Sequence, residues 1–128
     1  MLIQIEPSSD IPIYTQLANQ LIELIARREL QGGDALPSVR SLAADLGMNM
    51  HTVNKAYHAL ERKGIIQIVP KSGAIVNPLP QGGVQKEHHE RILEELKPIL
   101  AEAIVLGMNE KGILTLASSI ISDIKKEE

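Results

Sequence analysis

Residues 36–64 read LPSVRSLAADLGMNMHTVNKAYHALERKG, and the punctuation inside this stretch decides the fold. Leu36-Pro37-Ser38 opens a helix with Ser38 at the N-cap, where its hydroxyl can accept from the unpaired amides of the first turn. Val39, Leu42, Ala43 and Leu46 form one inward face, and Gly47 supplies the left-handed residue that ends the helix. Asn49 then caps a longer helix running to about Lys63, in which Val53, Ala56, Tyr57 and Leu60 fall on a single buried stripe. Two helices joined by so short a turn cannot lie parallel. They cross steeply and leave the outer face of the second one exposed, which is the geometry of a helix-turn-helix.

Working outward, Gly64 ends that helix, and two β-prone runs follow, Ile65 to Val69 and Ala74 to Asn77. Pro70-Lys71-Ser72-Gly73 between them is turn chemistry, so the pair reads as a small wing. Upstream, Asp10-Ile11-Pro12 has the form of a helix start, and Gly32-Gly33 closes a helix expected to reach about Glu29. Its apolar stripe (Tyr14, Leu17, Ala18, Leu21, Ile22, Leu24, Ile25) is wider than one core face requires, so it is either deeply buried or shared with a second subunit. Leu2 to Glu6 alternates apolar and polar residues and reads as a short strand.

Downstream, Pro78, Pro80, Gly82 and Gly83 mark a linker. A helix from Lys86 to about Leu106 follows, with Ile92, Leu96, Ile99, Leu100, Ala103 and Ile104 on one side, and Pro98 is expected to kink or interrupt it. Asn109 caps a last helix whose Ile113, Leu116, Ala117, Ile120 and Ile124 should face inward, and residues 125–128 are expected to fray. The expected fold class is mostly α with a small β-wing: a winged helix-turn-helix DNA-binding domain over 1–77, a linker over 78–85, and a two-helix dimerisation tail over 86–128.

Composition narrows the chemistry. The 128 residues contain no cysteine, which removes disulfides, thiolate metal sites and cysteine nucleophiles together and suits a cytoplasmic location. No signal peptide is apparent, and no apolar run approaches the ~20 residues of a membrane span. The net charge of −3 conceals an asymmetry. Residues 35–76 carry five basic side chains against two acidic ones, a balance of +3, whereas 77–128 carry six against nine, a balance of −3. The middle of the chain can face phosphate while the tail faces water or protein. A phosphate-binding glycine loop, a zinc motif and a Ser-His-acid order are all lacking, so neither an enzyme nor a cofactor is expected. His88-His89 lacks the ligand spacing of a metal site and reads as surface.

The candidate binding residues follow from placement. Asn49, His51, Thr52, Asn54 and Lys55 occupy the first turns of the second helix of the pair, where a recognition helix reaches base edges. Its N-terminus favours a phosphate through unpaired amides. Arg40 begins the preceding helix and can clamp the backbone or reach a base, and Lys71 and Ser72 sit at the wing tip. Each has a plainer reading: Asn49 is first a helix cap, Lys55 can be an ordinary surface charge, and Tyr57 should pack between helices.

The order of Gly-Asp-x-Leu-Pro-Ser-x-Arg (33–40), Leu-Ala-x-x-Leu-Gly (42–47), Asn-x-x-Thr-Val-x-x-Ala-Tyr (49–57), Leu-Glu-x-x-Gly (60–64) and Gly-x-x-Val (73–76) resembles the GntR-type bacterial transcription regulators. The short tail is similar to that of the YtrA-like subfamily. The resemblance implies a homodimer on a palindromic double-stranded DNA operator, usually acting as a repressor, with contacts carried over to Arg40, Asn49, Thr52 and Lys55, to Ser38, and to the wing. It leaves room for an unidentified small-molecule effector. Met50 stands where the family usually has proline or a basic residue, Lys71 replaces the first glycine of the common wing turn, and Ala74 replaces a common threonine. The competing reading is a winged-helix protein–protein interaction module without DNA binding, which the acidic tail favours weakly.

Overall fold

The computed structural model describes residues 2–126. The chain divides into two compact units, residues 1–79 and 80–128. The first holds α1 (Ile13–Ala26), β1 (Ala35–Leu36), α2 (Val39–Leu46), α3 (Met50–Arg62), β2 (Ile66–Val69) and β3 (Gly73–Val76). The second holds α4 (Lys86–Val105) and α5 (Glu110–Lys125).

The core of the first unit is aliphatic around one tyrosine. Leu17 and Leu21 of α1, Leu42 of α2, and Val53, Ala56, Tyr57 and Leu60 of α3 are buried together with Leu36, Ile66 and Val76 of the sheet. The three helices therefore close over the inner face of the sheet, and burial of such side chains contributes about 1.5–3 kcal/mol each. Ser38 Oγ accepts from Ser41 N–H at 3.1 Å, and Gly47 takes φ 63 at the C-cap of α2. Asn49 Oδ1 accepts from His51 N–H at 2.7 Å to start α3. The helix-turn-helix is punctuated as its sequence requires.

Three features differ from the sequence expectations in this unit. The sheet has three strands in the order β1-β3-β2, because Ala35 and Leu36 pair with Ile75 and Ala74 as well as leading into α2. Leu2 to Glu6 forms no strand. Gln20 of α1 bonds both the N–H and the C=O of Gln4 through its side-chain amide, and Gln16 does the same for Glu6. Side chains thus replace a partner strand, while Ile3 and Ile5 pack on the core. Finally, α1 starts at Ile13 behind Pro12, without a side-chain cap from Asp10, and stops at Ala26, well before Gly32. Arg28 adopts φ 66, with its N–H bonded to the Ile25 carbonyl and Glu29 N–H bonded to the Leu24 carbonyl. This double closure ends the helix on a non-glycine residue.

In the second unit Asn109 Oδ1 caps α5 by accepting from Gly112 N–H at 2.8 Å. Helix α4 is not interrupted at Pro98. Proline removes the donor that would meet the Glu94 carbonyl, but this part of α4 is exposed and water can take that donor's place. The inward packing expected of the tail is not made within one chain: among the described residues no side chain of α4 or α5 is buried. Ile99 is 63% exposed and Leu116 and Ile120 are each 52% exposed. Helix α5 runs through Lys125, the first residue of the stretch expected to fray, and Glu127 and Glu128 lie outside the described residues.

Candidate nucleic-acid interface

Burial of Val53, Ala56, Tyr57 and Leu60 fixes the rotation of α3, and that rotation exposes the opposite side. His51, Asn54 and Lys55 are exposed there, and Thr52 is half-buried beside them. The Tyr57 hydroxyl reaches past the core to the Pro37 carbonyl, so α3 is tied to the chain segment that leads into α2. Burial pushes the Tyr57 hydroxyl up to about 12, which keeps it a donor throughout the ordinary pH range.

The wing is fixed to the same helix. Glu61 of α3 accepts from the Ile68 N–H of β2 at 2.9 Å, a charge-assisted bond across which the strand cannot easily slide. At the wing tip Ser72 N–H donates to the Val69 carbonyl at 3.0 Å, and Lys71 is held at φ 67. Both side chains are exposed.

These attachments bring four of the residues singled out from sequence into one groove. Ser38, Arg40, Asn54 and Lys71, together with Ile68 and Gly73, line a depression of about 440 Å³ between the start of α2, the middle of α3 and the wing. Asn49, His51 and Thr52 at the N-terminus of α3 lie outside that lining, as does Lys55 on the same exposed side of the helix, whose ammonium sits over Tyr14 of α1. Two polar side chains have a structural task already: Ser38 Oγ and Asn49 Oδ1 each accept a capping bond. A two-point amide contact to adenine needs both the oxygen and the nitrogen. Asn54, whose side-chain amide has no hydrogen-bond partner among the described residues, is therefore better placed for it than Asn49.

Helix ends supply the remaining electrostatics. Neither α2 nor α3 has an acidic residue in its first turn, so the partial positive charge of each N-terminus is left for an outside anion. The tail helices neutralise theirs internally, with Glu87 in α4 and Glu110 in α5. Among the described residues no three or more histidine, aspartate and glutamate side chains are grouped as a metal site would need, and His88 and His89 belong to no such group. No helix among them is long and apolar enough to cross a membrane.

Sequence reasoning missed two contributors. Glu61 belongs to a recognisable motif, but its bond to β2 depends on tertiary packing. Tyr14 belongs by its spacing to the apolar stripe of α1, yet its ring lies under Lys55, with Nζ 4.6 Å from the ring centre. Nothing in the local spacing of either residue could have revealed its partner.

A helix-turn-helix with unneutralised N-termini and an exposed polar face, and with a wing attached so that Arg40, Asn54 and Lys71 line one groove, defines a DNA-binding transcription regulator of the winged-helix class. The chain belongs to the gntR family of bacterial regulatory proteins, whose model matches residues 13–76. It is 35% identical over 124 residues, 97% of this chain and 95% of the relative, to the HTH-type transcriptional repressor YtrA of Bacillus subtilis. A transcriptional antiterminator from Listeria monocytogenes has a similar crystal structure, with TM-score 0.90 and 28% identity over 100% of this chain and 96% of that one. The DNA-binding domain of AraR, solved in complex with operator ORX1, is similar at TM-score 0.51 and 26% identity, covering 59% of this chain and 92% of that one. Membership of this family does not favour the reading as an interaction module without DNA binding.

Proposed function

We propose that this regulator represses transcription in the cytoplasm by binding a two-fold-symmetric operator as a homodimer, without enzymatic activity of its own. Residues 1–77 form the DNA-binding domain, 78–85 the linker and 86–128 the dimerisation tail. Arg40, His51, Thr52, Asn54 and Lys55, with Lys71 and Ser72 of the wing, face the duplex. Ser38 and Asn49 hold their helix ends toward phosphate while capping them. Among proteins similar to this chain, YtrA of Bacillus subtilis is named a transcriptional repressor and the AraR DNA-binding domain is solved bound to an operator, which supports the reading.

The observation that carries the reading is the convergence of Arg40, Asn54 and Lys71 in one groove at the start of α2, with no acidic residue in the first turn of α2 or of α3. Dimerisation draws on a second observation. Leu96, Ile99, Leu116 and Ile120 are all about half exposed or more, an apolar surface that a lone chain would leave in water. A second copy related by two-fold symmetry covers such a face with the same face. Any small-molecule effector would act by altering that pairing.

Selection of bound duplexes from a random pool tests the proposal. Enriched sequences should contain inverted half-sites centred about one helical turn apart, roughly 34 Å, or a multiple of it. Arg40→Ala should weaken binding about tenfold or more and reduce the salt slope by about 1. Recovery of no common sequence, or of a single unrepeated half-site, would overturn it.

A further inference from the structure

We infer that Tyr14 is a positioning residue for DNA binding: its ring holds the Lys55 ammonium in place on the recognition helix before a phosphate arrives. The inference rests on the reading of Lys55 as a DNA contact and adds to it a residue from a different helix. Lys55 Nζ lies 4.6 Å from the centre of the Tyr14 ring, inside the range in which the negative face of an aromatic ring attracts a cation. The ring is itself fixed, because Tyr14 is half-buried and packs against the core cluster through α1.

The choice of partner matters. A carboxylate beside Lys55 would hold the ammonium too, but it would cancel its charge and occupy its donors. A ring attracts the cation without neutralising it and engages at most the N–H that points at its face, so the other donors remain available to phosphate oxygens. A lysine stem has several rotatable bonds, and immobilising a free one on DNA sacrifices most of that freedom. Over Tyr14 much of the loss has been taken before binding. Among the described residues Arg40 and Lys71, the other cations assigned to the interface, have no ring or ion-pair partner, so Lys55 alone is prearranged in this way.

The test compares full-length chains on a duplex recovered by selection, over a series of salt concentrations. Lys55→Met should lower affinity about tenfold and reduce the salt slope by about 0.9, because a phosphate contact is lost. Tyr14→Leu should lower affinity about two- to fivefold with the salt slope unchanged, since the charge is still present. Tyr14→Phe should bind as the parent does, and Tyr14→Leu should have no further effect in the Lys55→Met background. In the free protein the Lys55 ε-methylene protons should resonate upfield through the ring current, in the parent and in Tyr14→Phe but not in Tyr14→Leu. This signal separates placement of the ammonium from any loss of fold stability. Additive effects of Tyr14→Leu and Lys55→Met, equal weakening by Tyr14→Phe and Tyr14→Leu, or tighter or unaltered binding by Tyr14→Leu would overturn the positioning role alone. A Lys55→Met chain with unaltered affinity and salt slope would remove the DNA contact, and the role of Tyr14 with it.

Discussion

The Tyr57 hydroxyl donates a 2.6 Å hydrogen bond to the Pro37 carbonyl, linking the centre of the recognition helix to the residue just before the α2 cap. Tyr57 is 1% exposed while Pro37 is half-buried, so removing the hydroxyl takes away a bond made at the edge of the core. The same contact holds the crossing of α2 and α3 from which the groove is built.

Tyr57→Phe should therefore lower stability at neutral pH by about 1–2 kcal/mol, measured by urea unfolding. The alkaline limb gives a second signature. The folded hydroxyl sits at about 12 against 10.0 for the ordinary value. A proton held more tightly in the folded state stabilises it fully below pH 10, and that stabilisation is lost as pH rises toward 12. The loss should reach roughly 2–3 kcal/mol in the parent. Tyr57→Phe should lack this component, so the stability curves of the two proteins should converge above pH 10. Parallel curves would mean that Tyr57 ionises without resistance from the fold.

Two glycines should respond differently to alanine. Gly73 takes φ 112, and a Cβ there would lie 2.4 Å from the Leu36 carbonyl oxygen and 2.9 Å from the Pro37 carbonyl carbon, both backbone atoms. Gly47 takes φ 63 with nothing within 4 Å of an added Cβ. Gly47→Ala should cost only the left-handed conformation, about 1–2 kcal/mol. Gly73→Ala should exceed it by several kcal/mol or prevent folding, because the wing must part from β1. Melting temperatures of the two variants measure the difference, and equal costs would contradict the close approach.

Lys71 occupies the left-handed region at φ 67, where glycine would be less strained. Lys71→Gly should leave thermal stability unchanged or raise it by up to about 1 kcal/mol. It should at the same time weaken operator binding and reduce the salt slope by about 0.9. A stabilised variant with unaltered DNA affinity would remove the wing tip from the interface.

Gln20 serves both backbone polar groups of Gln4, one of them at 2.8 Å. Gln20→Ala should free the N-terminal segment at the cost of about 1–2 kcal/mol. In hydrogen exchange the Gln4 amide should lose its protection while the amides of α3 keep theirs. Retained protection at Gln4 would mean that Ile3 and Ile5 alone hold the segment.

The parts of the molecule legible in sequence are those governed by neighbours along the chain. Ser38, Asn49 and Asn109 cap helices because each oxygen bonds an amide two or three residues ahead. Gly47 ends α2 because its own backbone can turn left-handed, and the stripe from Val53 to Leu60 is buried because helical periodicity gathers it on one face. The helix-turn-helix, the wing and the polar face of α3 follow from such rules. The rest depended on groups far apart in the chain. Alternation in residues 2–6 resembles a strand until Gln16 and Gln20 take its hydrogen bonds. Ala35 and Leu36 become a strand only because β3 lies beside them, and α1 stops at Ala26 through a closure at Arg28 that no glycine signals. The apolar sides of α4 and α5, read as inward, have no core within a single chain to enter. The rotation of α1 against α3, which sets Tyr14 under Lys55, is a property of packed helices and of no segment alone.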